Sequence, residues 1–119
     1  MQKQYDISVI GAGSYGTALA ICIARNGHNT LMWARNAEQV ALMQQENENK
    51  RYLAGIPFPE SLDLDSDLEQ VVKASKNILI VVPSHAFSET LKQIIIIYPD
   101  SDEAVQSEEK LDHTRPNIL

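Results

Sequence analysis

The sequence predicts an α/β fold, in which helices cover both faces of a parallel sheet. Strand-like and helix-like segments alternate up to about residue 94, which is the order that successive βαβ units produce. Residues 77–82, with the sequence NILIVV, form a continuous apolar run that is typical of a strand buried on both faces. A glycine-rich turn separates the first strand from the first helix. We expect about four strands in the order β-α-β-α-β-α-β-α.

The first two strand–helix pairs have clear local patterns. Residues 5–10 form a short β-rich run, and residues 14–26 have apolar side chains at the three- and four-residue spacing of a helix. Residues 30–34 predict the second strand. Asn36 is an expected N-cap, and a helix over residues 37–47 follows it.

The next two pairs are punctuated by proline and by a second capping pattern. Residues 52–64 contain one glycine and two prolines, and we expect a loop whose last three residues form a short third strand. The sequence SDLE at residues 66–69 is a capping box that opens a short helix. The fourth strand, residues 77–82, ends at Pro83, and the last helix begins at about Ser84.

Charge divides the chain into two parts. The net charge of the whole chain is −6. Residues 98–119 contain two basic and six acidic side chains. We therefore predict a compact domain over residues 1–97 and an acidic, poorly ordered tail over residues 98–119. No basic face is evident, so we expect no nucleic-acid partner.

Composition also limits which cellular compartment and which kinds of site we expect for this chain. Cys22 is the single cysteine, so no internal disulfide can form. No run approaches the roughly 20 apolar residues of a membrane span, and no basic region followed by an apolar one begins the sequence. We expect a cytoplasmic chain without integral membrane association. No group of His, Cys, Asp and Glu has the spacing of metal ligands, so no metal is expected.

The glycine-rich turn is the strongest functional signal. Gly11, Gly13 and Gly16 form a Gly-x-Gly-x-x-Gly motif that directly follows a strand and directly opens a helix. In a Rossmann-type domain the first glycine permits the tight turn, the second lets a pyrophosphate approach, and the third lets the helix pack closely. The helix N-terminus attracts the phosphates. This context predicts a dinucleotide-binding site in an incomplete Rossmann-type sheet, and a turn without a ligand is the less favoured alternative.

The end of the second strand bears on which dinucleotide is bound. Sites that prefer NAD place an acidic residue there to bind the ribose hydroxyls, whereas this strand is followed by Arg35. A guanidinium can pair with a 2′-phosphate. We therefore expect a preference for NADP(H), with NAD(H) as a possible second cofactor, although Arg35 could also be an ordinary solvated charge.

The motifs together resemble a known family. The segments VIGAGSYGTALA, RNGH, MWAR, NKRYLAGIPFP and NILIVVPSHAF occur in this order. Over residues 5–94 the chain resembles the N-terminal domain of bacterial NAD(P)-dependent glycerol-3-phosphate dehydrogenases. That family interconverts dihydroxyacetone phosphate and sn-glycerol 3-phosphate, a precursor of glycerophospholipids.

The resemblance implies roles for further residues. Ser14 and Tyr15 would contact the cofactor, Arg35 would lie beside the adenosine ribose, Pro83 would shape the crevice, and Phe87 would lie near the nicotinamide. Core packing remains an alternative for Phe87. The candidate cofactor-binding residues are thus Gly11, Gly13, Ser14, Tyr15, Gly16, Arg35, Pro83 and Phe87.

The catalytic parts of the family do not match this sequence. The family has a Thr-Lys-Gly loop and a second lysine in a helical C-terminal domain, whereas Lys110 follows neither pattern. We therefore assign no catalytic residue, expect the isolated chain to be inactive, and interpret it as a truncated or frameshifted product. A homo-oligomer or a complementing C-terminal fragment are the candidate partners. The alternatives are the N-terminal domain of another NAD(P)-dependent dehydrogenase and a non-catalytic nucleotide-binding module.

Overall fold

A computed structural model describes residues 4–97 and 117–118. The strands are β1 (Ile7–Ile10), β2 (Thr30–Trp33), β3 (Glu48–Asn49), β4 (Leu53–Pro57), β5 (Leu62–Asp65), β6 (Asn77–Ile80) and β7 (Asn117–Ile118). The helices are α1 (Ser14–Arg25), α2 (Ala37–Glu46), α3 (Leu68–Lys73) and α4 (Ser84–Ile97). No helix within these ranges is long and apolar enough to cross a bilayer.

The predicted parallel sheet is confirmed. Five strands lie in the order β5-β2-β1-β6-β7, and every neighbouring pair is parallel. Ile10 at the end of β1 lies opposite Trp33 of β2 and Ile80 of β6. The carboxyl ends of these three strands therefore meet at one edge of the sheet, where parallel α/β sheets bind their ligands.

Helices cover both faces of the sheet because successive side chains of each strand point to opposite sides. Val9 of β1 belongs to an apolar cluster with side chains of α1 and α2. Its neighbour Ile10 belongs to a second cluster with side chains of α3 and α4. Val9 and Ile10 are both fully buried. Two separate apolar cores thus hold one helix layer on each face.

The helix caps agree with the sequence at one position and shift at another. The Asn36 side chain accepts hydrogen bonds from the backbone N–H groups of Glu38 and Gln39, which confirms the predicted cap of α2. At α3 the capping residue is Asp67 and not Ser66, because the Asp67 carboxylate accepts from the first-turn N–H groups. The predicted capping box is therefore one residue out of register.

Two features of the sheet architecture were not predicted. Residues 53–57 of the predicted loop form β4, which pairs with β3 in an antiparallel hairpin with an irregular register between its two paired positions. The main sheet also has a fifth strand, β7, beside β6. The rest of the predicted tail, residues 98–116 and 119, lies outside the described residues, so the domain boundary at residue 97 stays a prediction.

A partly buried hydrogen bond joins the N-terminal segment to β5, the strand at one side of the sheet. The Tyr5 hydroxyl donates to the Asp63 carboxylate at 2.6 Å. Burial, and then the bond to Asp63, raise the pKa of Tyr5 well above its ordinary value. The folded state therefore holds this proton more tightly than the unfolded chain does. The bond contributes its full stability below the unfolded pKa of about 10 and loses it as the pH rises further.

We expect Tyr5→Phe to lower the free energy of unfolding by about 1 kcal/mol at neutral pH, since one hydrogen bond is lost. Urea denaturation at neutral pH measures this difference. The same comparison above about pH 10 should show a smaller gap between the two chains. Equal stability of both chains at neutral pH would show that the bond contributes nothing.

Candidate functional site

The candidate site lies at the carboxyl edge of β1, β2 and β6. The backbone N–H of Gly11, just after β1, donates to the Trp33 carbonyl of β2 at 3.0 Å. The N–H of Val81, just after β6, donates to the Ile10 carbonyl at 2.8 Å. These bonds continue the strand pairing beyond the strand ends, and they bring the glycine turn next to the segments that follow β2 and β6.

Gly11 and Gly16 allow backbone segments to approach one another closely. Gly11 has a φ of +126°, and a Cβ there would lie 2.8 Å from the Val81 carbonyl carbon and closer still to its oxygen. A Cβ at Gly16 would lie 3.1 Å from the Gly11 carbonyl carbon and closer still to its oxygen. Any side chain at either position would displace backbone, so both glycines are required by the fold.

Gly13 differs from its two neighbours in the motif. Within the described residues, and apart from its two chain neighbours, no atom lies within 4 Å of the position that a Cβ at Gly13 would take, and its φ of −77° is open to any residue. Nothing in the described structure therefore requires a glycine here. The open space faces the start of α1, where a phosphate could approach the backbone closely.

The N-terminus of α1 is suited to an anion. Gly13 is its N-cap and provides no side-chain hydrogen bond, and the first turn contains no acidic residue. The first N–H groups of a helix have no partner within the helix, and the helix dipole places about half a positive charge there. This geometry can hold a phosphate through backbone groups alone.

Ser14 and Tyr15 begin the helix on the open side of the turn. The Ser14 hydroxyl donates to the Tyr52 carbonyl at 2.9 Å, so this hydroxyl joins α1 to the β3–β4 hairpin. A phosphate oxygen that contacts Ser14 would therefore accept from the backbone N–H. The Tyr15 side chain is 70% exposed, which leaves its ring available to a ligand or partner.

Asn49 is a site residue that the sequence analysis missed. It lies in β3 and is 1% exposed, yet its side-chain amide reaches the glycine turn. The amide nitrogen donates to the Ala12 carbonyl at 3.0 Å and to the Thr17 hydroxyl at 2.9 Å. The sequence ENENKR around it is uniformly polar, so no local pattern distinguishes this asparagine from its exposed neighbours.

Arg35 follows β2 at the same edge of the sheet. It is exposed and lines an open groove of about 530 Å³ with the first residues of α2. Glu38 lies in the same groove, and its carboxylate opposes the charge of Arg35. The groove thus offers one guanidinium to a phosphate group and one carboxylate that would repel it.

Pro83 and Phe87 lie on the other side of the turn, after β6. The Pro83 carbonyl accepts from the N–H of Ala86 in the first turn of α4, and Pro83 itself is exposed. Phe87 is 42% exposed, whereas Ile94 on the same helix is buried in the core. Core packing therefore does not account for Phe87, and its ring remains available at this edge.

The residues at this edge fit a dinucleotide. Gly13 leaves space for a pyrophosphate, the uncapped start of α1 provides N–H donors, and Arg35 provides a cation one strand away. No group of three or more His, Cys, Asp and Glu within residues 4–97 could hold a metal ion. The chemistry that this edge provides is anion binding through backbone groups beside exposed aromatic rings.

A comparison with protein families decides the relationship. Residues 6–108 match the family described as NAD-dependent glycerol-3-phosphate dehydrogenase N-terminus. The chain belongs to this family. The resemblance predicted from the glycine turn and the VPSHAF segment is thereby confirmed.

Individual proteins that are similar to this chain support its assignment to the glycerol-3-phosphate dehydrogenase family. The chain is 62% identical over 94 residues to the glycerol-3-phosphate dehydrogenase [NAD(P)+] of Colwellia psychrerythraea, covering 79% of this chain and 28% of that protein. It is 50% identical over 93 residues to the Escherichia coli protein of the same name, covering 78% and 27%. The chain thus spans less than a third of these relatives, and another dehydrogenase type is not favoured.

Solved structures show the same fold. The glycerol-3-phosphate dehydrogenase of Coxiella burnetii is 41% identical with a TM-score of 0.74, covering 79% of this chain and 29% of that one. The enzyme of Saccharomyces cerevisiae is 25% identical with a TM-score of 0.68, covering 77% and 30%. The Rossmann-type architecture predicted from the sequence is therefore confirmed.

Proposed function

We propose that this chain is the dinucleotide-binding part of a glycerol-3-phosphate dehydrogenase and that it binds NADP(H) in preference to NAD(H). One observation carries the proposal. Gly13 faces open space at the uncapped N-terminus of α1, whereas the two neighbouring glycines of the motif are required by backbone contacts. The fold does not require a glycine at position 13, whereas a pyrophosphate that must approach the backbone closely does.

Each part of the carboxyl edge has a task in this proposal. The N–H groups at the start of α1 bind the pyrophosphate, and Arg35 binds the adenosine end of the cofactor. Pro83 and Phe87 form the wall of the crevice at the nicotinamide end. The nicotinamide, when bound, supplies or accepts the hydride. The chain's own residues hold and orient the cofactor. We propose dihydroxyacetone phosphate and sn-glycerol 3-phosphate as the substrates of the whole enzyme.

The dehydrogenase reaction also needs side chains outside the cofactor site. Orientation of a carbonyl substrate and stabilisation of its developing charge require further side chains. We propose that a complementing C-terminal fragment provides these side chains, and a homo-oligomer of this chain is a separate candidate assembly. It also places the chain in the cytoplasm, in keeping with its single cysteine, Cys22.

Calorimetric titration of the full 119-residue chain with NADPH and NADH tests the proposal. We expect saturable binding of both dinucleotides, with the tighter binding for NADPH. A folded chain that binds neither dinucleotide would contradict the proposed function. Equal binding of the two would leave the site in place and remove the NADP(H) preference.

We expect Arg35→Asp to reverse the preference. The substitution removes the cation and places a carboxylate where it repels a 2′-phosphate, so the NADPH-to-NADH affinity ratio should fall by about 100-fold. Arg25→Asp is the matched control, because it makes the same charge change at the exposed opposite end of α1. A similar fall in both variants would show a general charge effect and no role for Arg35.

A further inference from the structure

We infer that Asn49 is a positioning residue for the phosphate-binding turn, which it holds in the geometry that a dinucleotide requires. The inference rests on the proposed function and adds a residue to it from a different part of the chain. Asn49 lies 37 residues after Ala12 in the sequence, and it belongs to the hairpin and not to the βαβ unit.

The hydrogen bonds of Asn49 use both ends of its side-chain amide. The nitrogen donates to the Ala12 carbonyl and to the Thr17 hydroxyl, at 3.0 and 2.9 Å. The oxygen accepts from the backbone N–H of Tyr52 at 3.3 Å. An asparagine amide has two N–H donors and one carbonyl oxygen, so this side chain matches its surroundings.

The bond to Ala12 sets the direction of a neighbouring N–H group. The Ala12 carbonyl and the Gly13 N–H belong to one planar trans peptide, in which the oxygen and the hydrogen point to opposite sides. Because Asn49 fixes the oxygen, it directs the Gly13 N–H away from the hairpin. It thereby orients one of the donors that the proposed function assigns to the pyrophosphate.

The bond to Thr17 fixes the start of the helix. The N–H of Thr17 donates to the Gly13 carbonyl at 2.9 Å, which closes the first turn of α1. Thr17 is fully buried, and the Asn49 amide is the donor that its hydroxyl accepts from. One buried side chain therefore connects both peptide groups of Gly13 to the hairpin, directly on one side and through Thr17 on the other.

The test compares substitutions of Asn49 with a matched control in the full chain. Asn49→Ala removes both donors. Ser61→Ala removes the hydrogen bond from Ser61 to the Ala24 carbonyl, a partly buried long-range bond at the other end of α1. The measurements are NADPH and NADH affinity by calorimetry and the hydrogen-exchange rate of the Thr17 amide, under conditions where circular dichroism shows a folded chain.

We expect Asn49→Ala to weaken the binding of both dinucleotides about tenfold and to speed Thr17 amide exchange about tenfold. Ser61→Ala should change neither. Unchanged affinity and exchange in Asn49→Ala, or an equal loss in Ser61→Ala, would overturn the inference. If the wild-type chain binds neither dinucleotide, the proposed function fails separately. Thr17 exchange then decides the inference alone, since a similar rate in wild type and Asn49→Ala would overturn it.

Asn49→Asp supplies a second readout and serves if the alanine variant does not fold. An aspartate carboxylate cannot donate to the Ala12 carbonyl, whereas a neutral carboxyl group can, and burial raises the pKa of such a group. We expect the affinity of Asn49→Asp to recover towards that of wild type as the pH falls from about 8 to about 5.5. A flat pH profile relative to wild type would overturn the positioning role.

Discussion

Replacing Gly11 with alanine should lower the free energy of unfolding by about 3 kcal/mol or more, a large part of the 5–15 kcal/mol that a small domain typically has. Two effects add at this position. The φ of +126° is strained for any residue with a Cβ, and the added methyl group would overlap the Val81 carbonyl. Either the turn or the end of β6 would have to move. Urea denaturation followed by circular dichroism measures the loss.

Gly27→Ala is the control that separates the two effects. Gly27 has a φ of +93°, but in the part of the chain that the structure describes no atom beyond its chain neighbours lies within 4 Å of the position of an added Cβ. Its substitution should cost only the backbone strain, about 1–2 kcal/mol. Equal losses in the two variants would show that the approach of Gly11 to Val81 contributes no stability.

Replacing Gly13 with valine should abolish dinucleotide binding and leave the chain folded. The backbone at Gly13 suits any residue, and an added Cβ meets no atom of the described structure beyond its chain neighbours. We expect a stability loss of about 1 kcal/mol, because valine is a poor N-cap. The side chain would fill the space in front of the helix start, so affinity should fall about 100-fold, as if about two charge-assisted hydrogen bonds were lost. Calorimetry with NADPH and NADH, paired with a thermal melt, measures both quantities.

Cys22→Val is the matched control for Gly13→Val, because it adds a valine at an exposed position of the same helix. It should bind both dinucleotides as the wild-type chain does. Wild-type affinity in Gly13→Val would show that the open space at the helix start is not the binding site.

Much of the fold could be predicted because its signals are local. Alternation of strand and helix patterns, the apolar run at residues 77–82 and the Asn36 cap each depend on a few adjacent residues, and the sheet and helix order follow from them. The hairpin could not be predicted, because Pro57 lies at the end of β4 and argues against a strand. That segment is stabilised by contacts across the chain, such as the bond between Ser14 and Tyr52.

The candidate site divides in the same way. The glycine spacing is a local signal, and it correctly located the turn at the start of α1. It could not separate Gly13 from Gly11, since that difference depends on how close Val81 comes in three dimensions. Asn49 gave no signal at all, because its role depends on a buried contact with Ala12 and not on its neighbours in the sequence.

NMR can show at which residues of the full chain a dinucleotide binds. The measurement is the change of backbone amide shifts when NADPH is added to the full, ¹⁵N-labelled chain. The expected result is that the largest changes fall on residues 13–16, at the turn and the start of α1, and that Asp6 and Asn29, just before the amino ends of β1 and β2, stay unchanged. An unchanged spectrum with both NADPH and NADH, or changes centred on Asp6 and Asn29, would contradict it.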